Sequence, residues 1–340
     1  MEPEGVNNGS GFKRKNIDYD MSRPVQKVAL LGATGKLGSY ILKALKSEGF
    51  TVTAVQRNGS KNNAPPEADG SIKIDTSSKA ELTSAFKGQD AVVNAIGDPL
   101  NVEDNKAMID AAIAAGVKRI VPSEYSTNLE NPLSRQLPNV RAKVAIRDYI
   151  TSLLPPRSST STATTTWTSI NNGPFLELVY GFGGLGPDLA ARRAVYHNGG
   201  ACTVGASRMA DIGAAVARVL GPQHFDAAAN APVYIYSAAV SERYLTQLSA
   251  EVTGIDFGTV EDGRIADVDT EDMCRKADEM LAKGDASAMR MYYFQMMYGK
   301  GHEGDTTHMA WNERLGLKTM SEEEIKDFIR QTARELKVLE

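Results

Sequence analysis

Three groups of residues in this chain have types and spacings suited to chemistry. The first is Gly32-Ala33-Thr34-Gly35-Lys36-Leu37-Gly38. It follows the apolar run Val28-Ala29-Leu30-Leu31 and opens a segment with Leu37, Ile41, Leu42 and Leu45 at helical spacing. A strand that turns through glycines into a helix offers backbone N–H groups and the positive end of a helix dipole, and both favour a pyrophosphate. Gly32 suits the tight turn, Gly35 the approach of phosphate oxygens and Gly38 the close packing of helix on strand. Thr34, Lys36 and Leu37 belong to the same loop. The order is Gly-x-x-Gly-x-x-Gly rather than the commoner Gly-x-Gly-x-x-Gly, but the physical task is the same, and dinucleotide binding is expected.

The second group selects among dinucleotides. The strand candidate Thr51–Val55 runs into Gln56-Arg57, with Lys61 four residues on and no acid at the strand end. A carboxylate there would accept from the ribose hydroxyls of NAD, whereas a guanidinium binds the extra phosphate of NADP. NADPH is the expected cofactor. Asp75 ends the third strand candidate, Ile72–Ile74, where it can meet the adenine amine or cap the helix that follows. Ala95-Ile96-Gly97 closes the fourth, Ala91–Ile96, and is expected beside the nicotinamide ribose.

The third group lies where an open parallel sheet places its reacting residues, at the carboxyl end of a strand. Arg119-Ile120-Val121 leads into Pro122-Ser123-Glu124-Tyr125-Ser126, and the helical segment 138–153 that follows carries Lys143. Hydride delivery to a carbonyl builds negative charge on oxygen, which an ammonium group stabilises or protonates. Lys143 is therefore the first candidate for catalysis, or else a ribose ligand or a plain surface lysine. Ser123 and Tyr125 are weaker candidates, suited to orienting substrate.

Positioning these groups requires strands and helices in alternation, which the first half of the chain supplies. Helical segments near 78–86 and 103–115 separate the strand candidates, the latter stopped by Gly116. The pattern predicts an α/β, Rossmann-type doubly wound parallel sheet with a smaller C-terminal substrate-binding lobe. Residues 1–24 are polar and Gly/Asn-rich, and a disordered tail is expected. Residues 25–155 are assigned to an NADP-binding domain, and 156–340 to the last sheet strands and the substrate lobe. Within the latter, the Ser/Thr-rich run from Pro155 reads as an exposed loop that enters a strand through Trp167–Ile170. Helices are expected at 211–220 and 242–252, with a strand at 233–236. Ser321 and Glu324 form a capping-box pattern ahead of a helix that turns Ile325, Phe328, Ile329 and Leu336 inward. Met289–Tyr298 is dense in Met and aromatic residues and reads equally as pocket wall or core helix. Trp167 and Phe175 divide the same way.

Composition narrows the rest. In 340 residues, 38 Lys and Arg against 42 Asp and Glu give a net charge of −4, without a basic run for nucleic acid or an anionic membrane. No apolar run approaches the roughly 18–20 residues of a membrane span, and the N-terminus lacks a secretory h-region, so a cytoplasmic protein is expected. The two cysteines, Cys202 and Cys274, are too few and too far apart for a disulfide framework or zinc cluster. His197, His224, His302 and His308 show no metal-ligand spacing, and no metal is expected. His302 and His308 fall in a polar segment and read as solvated. No Gly-x-Ser-x-Gly elbow supports a hydrolase.

These motifs carry a resemblance. Gly32–Gly38, Arg57, Pro122-Ser123-Glu124-Tyr125, Lys143, Trp167-Thr168-Ser169-Ile170-Asn171-Asn172-Gly173-Pro174-Phe175 and Asp211-Ile212-Gly213 together resemble the NmrA-like, isoflavone-reductase-like branch of the atypical short-chain dehydrogenases, over residues 26–255. Ordinary short-chain dehydrogenases carry Tyr-x-x-x-Lys on the helix of Lys143; here Asn139 stands in the tyrosine slot and the lysine remains. The resemblance implies NADPH, reduction of aromatic or polyketide-like molecules, and a role for Lys143 in proton transfer or carbonyl polarisation. The family also contains members that bind the dinucleotide without turning it over and regulate a protein partner. The leading expectation is an NADPH-dependent reductase of a carbonyl or conjugated double bond in secondary metabolism, monomeric or homodimeric. A non-catalytic redox sensor and a redox-neutral isomerase or cyclase are the alternatives.

Overall fold

The computed structural model describes residues 25–97, 100–154 and 164–340. The N-terminal tail and nearly all of the Ser/Thr-rich loop lie outside the described residues. The first half alternates as expected: β1 (Lys27–Leu31), α1 (Lys36–Ser47), β2 (Thr51–Arg57), β3 (Gly70–Ile74), α2 (Lys79–Phe86), β4 (Ala91–Asn94), α3 (Val102–Ala114), β5 (Arg119–Val121), α4 (Arg141–Leu153) and β6 (Thr166–Asn171). After these come the short α5 (Leu176–Val179), β7 (Pro187–Asp188), β8 (Arg193–His197), β9 (Val204–Ala206), α6 (Met209–Leu220), β10 (Ala231–Tyr234) and β11 (Ala238–Val240). The chain ends through α7 (Glu242–Thr253), β12 (Ile265–Val268), α8 (Thr270–Ala282), α9 (Met291–Tyr298), α10 (Asn312–Leu315) and α11 (Glu322–Glu335).

Seven strands form one parallel sheet in the order β10-β6-β5-β4-β1-β2-β3. Side chains alternate across each strand, so β1 feeds two cores. Val28 and Leu30 join Val52, Val93 and Ile170 beneath α1 and α6, which contribute Ile41, Leu45, Ile212 and Val216. Ala29 and Leu31 face the other layer with Leu82, Phe86, Ile109, Ile146 and Ile150 from α2, α3 and α4. Burial on both faces is why these strands read as continuous apolar runs. Each fully buried Leu or Ile contributes on the order of 1.5–3 kcal/mol.

Several boundaries moved. β4 stops at Asn94, short of the predicted Ile96, because the buried Asn94 side chain accepts from Ile96 N (3.0 Å) and donates to Asn105 Oδ1 (2.9 Å), turning the chain out of the ladder. The segment 138–153 begins with a 3-10 turn at Pro138–Val140 and becomes α-helical at Arg141. Strand β10 ends at Tyr234, two residues early.

The C-terminal region packs around a third core. β8 pairs with β7 and β12, and its Tyr196 lies with Leu245, Leu248, Ile325 and Ile329 of α7 and α11. The capping box of α11 is present in full: Ser321 Oγ accepts from Glu324 N, and Glu324 Oε2 accepts from Ser321 N at 2.8 Å. The Met/aromatic segment is core rather than pocket wall, since Tyr292, Met296, Met297 and Tyr298 are buried among neighbouring helices and loops. Trp167 is core as well. His302 corrects the expectation of a solvated residue. It is buried, with Nδ1 3.2 Å from Ser134 Oγ and Nε2 3.1 Å from Gln295 Nε2, and burial holds its pKa below the usual imidazole value. His197 is another buried polar group that spacing did not flag. It meets the Glu242 carboxylate at 2.7 Å and stacks on Phe294, and burial raises the Glu242 pKa.

Candidate functional site

The residues singled out for chemistry collect at the carboxyl edge of the sheet, around two cavities that share Ile96. A larger, more open cavity of about 730 Å³ lies at the opposite edge, beside Val25, Phe50 and Arg218, away from these residues.

The first cavity of the pair, about 370 Å³, is bounded by Gly32, Ala33 and Thr34, by Gln56 and Arg57 at the end of β2, and by Ser60, Asn62 and Asn94. Its floor is shaped by glycines. Gly32 has φ +78°, a conformation side chains rarely adopt, and a Cβ there would meet Ala95 at 2.8 Å. A Cβ on Gly38 would stand 2.0 Å from Gly32 O, so only glycine lets α1 start so close to the strand it leaves. No side chain caps the N-terminus of α1 at Gly35, and its first turn carries no acid. That combination keeps the positive end of the helix available to an anion. Asn62, not foreseen, braces the loop: its Nδ2 donates to Thr34 Oγ1 (3.2 Å), and its carbonyl accepts from Gln56 Nε2 (3.2 Å).

Two expected members of this half stand apart. Asp75 turns its carboxylate to Ser77, accepting from both N (2.9 Å) and Oγ (2.6 Å), and the Ser77 hydroxyl lowers its pKa. It neither lines the cavity, where Thr76 stands instead, nor caps α2, whose cap is Ser78. The carboxylate is engaged in a local turn, and the expected cap of α2 is replaced by Ser78. Lys61 is exposed and lines neither cavity, although its neighbours Ser60 and Asn62 border the first.

The second cavity, about 260 Å³, is bounded by Gly35, Lys36 and Leu37, by Ala95, Ile96 and Gly97, by Ser123, Glu124, Tyr125 and Lys143, and by Phe175, Leu178 and Met209. Lys143 sits in the first turn of α4 and is 8% exposed. Ser123 Oγ donates to Ile96 O at 2.6 Å, tying the ends of β4 and β5 together. Tyr125 has φ +30°, a strained conformation for a bulky residue. Its buried hydroxyl has no hydrogen-bond partner, and burial pushes its pKa far up. That phenol is thus a neutral group, able to donate one hydrogen bond. Asn139, in the tyrosine slot, is not on the cavity wall; both its side-chain polar atoms are buried without partners.

Chemically, the pair of cavities offers an anion cradle and a guanidinium at one end, and an ammonium, two hydroxyls and an apolar wall at the other. The glycine-shaped floor, the uncapped helix N-terminus and Arg57 have the chemistry to receive an NADP-type dinucleotide. Glu124, whose type and spacing suggest no role, is held by Arg147, which spacing does not single out either. Among the described residues, no group of His, Cys, Asp and Glu could hold a metal ion, and no helix is long and apolar enough to cross a membrane.

Comparison with known proteins gives consistent matches. The NmrA-like family profile matches residues 24–181. Oxidoreductase aprR of Aspergillus flavus is 30% identical over 306 residues, covering 88% of this chain and 97% of that protein. Oxidoreductase poxI of Penicillium oxalicum is 33% identical over 224 residues, covering 65% and 68%. Among solved structures, AtPrR2 with NADP+ and (+)pinoresinol superposes with a TM-score of 0.70 at 18% identity, covering 91% of this chain and 99% of that one. An isoflavone reductase crystal structure superposes at 0.67 and 18% identity, with the same coverage.

Proposed function

The chain belongs to the NmrA-like family, in its isoflavone-reductase-like branch, and from that membership we propose how its site works. It is an NADPH-dependent reductase of a carbonyl or conjugated double bond in an aromatic or polyketide-type small molecule of secondary metabolism. Residues 25–155 serve as the cofactor-binding part and 156–340 supply the last strands and the substrate lobe. The single observation that carries the reading is the adjoining pair of cavities, meeting at Ile96, with Arg57 on one and Lys143 on the other.

NADPH, when bound, supplies a hydride. The chain's own residues do the rest. The Gly32–Gly38 loop receives the diphosphate, Arg57 the extra phosphate, and Ala95–Gly97 borders the ribose at the reactive end. The Lys143 ammonium offsets the negative charge that develops on the substrate oxygen and supplies or relays its proton. Tyr125 and Ser123 shape the site rather than titrate: one is a buried neutral phenol, the other already donates to Ile96 O. Ile96, Phe175, Leu178 and Met209 offer apolar surface for a flat ring system, and Ile96 and Leu178 are exposed large hydrophobics. The names of aprR and poxI as oxidoreductases, and of AtPrR2 bound to NADP+ and pinoresinol, support the cofactor and the substrate class.

Asn139 in the tyrosine slot favours a second reading, a dinucleotide sensor without turnover. The test is NADPH oxidation, followed in the reduced-nicotinamide absorbance band, against 1,4-naphthoquinone, 9,10-phenanthrenequinone, acetophenone and cinnamaldehyde. The reductase reading expects saturable oxidation with at least one of them. Tight NADPH binding with no oxidation by any would reject it and leave the sensor and a redox-neutral isomerase or cyclase.

A further inference from the structure

We propose that Arg147 is a positioning residue: by gripping Glu124 it fixes the Ser123–Tyr125 corner against α4 and so sets where Lys143 stands in the second cavity. The role in turnover rests on the reductase reading; the grip itself does not.

Arg147 lies one helical turn beyond Lys143, on the same face of α4. Both are buried, as is Glu124. Arg147 Nε donates to Glu124 Oε2 at 2.9 Å and Nη2 donates to Glu124 Oε1, a two-pronged pair. Nη2 also donates to Ser169 Oγ of β6 at 2.6 Å, and Nη1 to the half-exposed Glu130 carboxylate. The guanidinium packs over the Trp167 ring at 4.7 Å. One side chain therefore ties α4 to the end of β5, to the loop beyond it and to β6. A lysine, with a single point charge, could not span these partners.

What the grip holds is the corner that carries the site. Glu124 stands between Ser123, anchored to Ile96 O, and Tyr125, whose φ of +30° persists only if its surroundings enforce it. Ser123, Glu124, Tyr125 and Lys143 all line the second cavity, and none lines the first. Loss of the grip should therefore loosen the reactive end of the site and leave the adenosine end intact.

Removing Arg147 alone strands a buried carboxylate and invites unfolding, so the decisive variant is Arg147→Met combined with Glu124→Leu, which removes both charges. Glu130 is half exposed and keeps its hydration. Three readouts separate positioning from stability. Affinity for 2′,5′-ADP reports the adenosine end. The emission of bound NADPH reports the environment of its nicotinamide. kcat is taken on the panel compound that the native protein reduces fastest. The proposal expects native 2′,5′-ADP affinity, loss of most of the emission enhancement, and kcat lower by about 10²-fold with a much smaller change in KM. Native emission, or native kcat, in the folded double variant would overturn it, as would loss of 2′,5′-ADP affinity in parallel with the other readouts. If the native protein reduces nothing in the panel, the reductase reading fails. The emission of bound NADPH then still decides whether Arg147 positions this end of the site.

Discussion

Lys143→Ala is expected to lower kcat by about 10²–10⁴-fold while the affinity for NADPH stays within a few-fold. The size follows from where Lys143 lies. Its side chain is 8% exposed, in the first turn of α4, on a cavity whose other wall is Phe175, Leu178 and Met209. Beside that apolar wall, a buried positive charge acts on a developing oxyanion more strongly than it would in water. The residues proposed for the adenosine end line the other cavity, and Lys143 is not among them. The substitution should thus remove an interaction made in the transition state and leave ground-state binding of the cofactor in place, so kcat falls more than KM rises. Stopped-flow single turnovers with fluorescence titration of NADPH measure both. Near-native turnover would take Lys143 out of the mechanism.

Arg57→Glu should reverse cofactor preference. Arg57 is the last residue of β2 and borders the first cavity, with no carboxylate beside it in that strand end. Losing charge-assisted hydrogen bonds to the extra phosphate of NADPH costs about 10–100-fold in affinity. The new carboxylate also repels that phosphate, whereas it can accept from the two ribose hydroxyls of NADH. The ratio of the two dissociation constants, titrated under the same salt conditions, reports the effect. An unchanged ratio would assign the phosphate to another residue.

How much of this could be read from the chain depended on the range of the interaction. The turn from β1 through Gly32–Gly38 into α1 was plain, because an apolar run, glycines and a helical apolar stripe are consecutive and each dictates its own conformation. The capping box of Ser321 and Glu324 was plain for the same reason. Arg147 and Glu124 were not, being 23 residues apart on different elements and joined only when α4 packs on the end of β5. His197 and Glu242, 45 residues apart, and Ser134 and His302, 168 apart, are the same case. Isolated polar residues look solvated until a partner from elsewhere buries them. Local competition hid the others. Asp75 was taken by Ser77 two residues on, and Asn94 bent the chain away before Ile96 could continue the strand. The Met/aromatic segment of α9 offered one spacing with two meanings, and only its neighbours in the fold decided for core.

Hydride transfer from NADPH to a substrate carbon can be followed with NADPH deuterated at the transferring C4 position and mass analysis of the product. Deuterium is expected on the former carbonyl carbon or on the β carbon of the former conjugated bond, with one NADPH consumed per product. A product formed without label and without NADPH consumption would contradict it and identify a redox-neutral reaction in the same cleft.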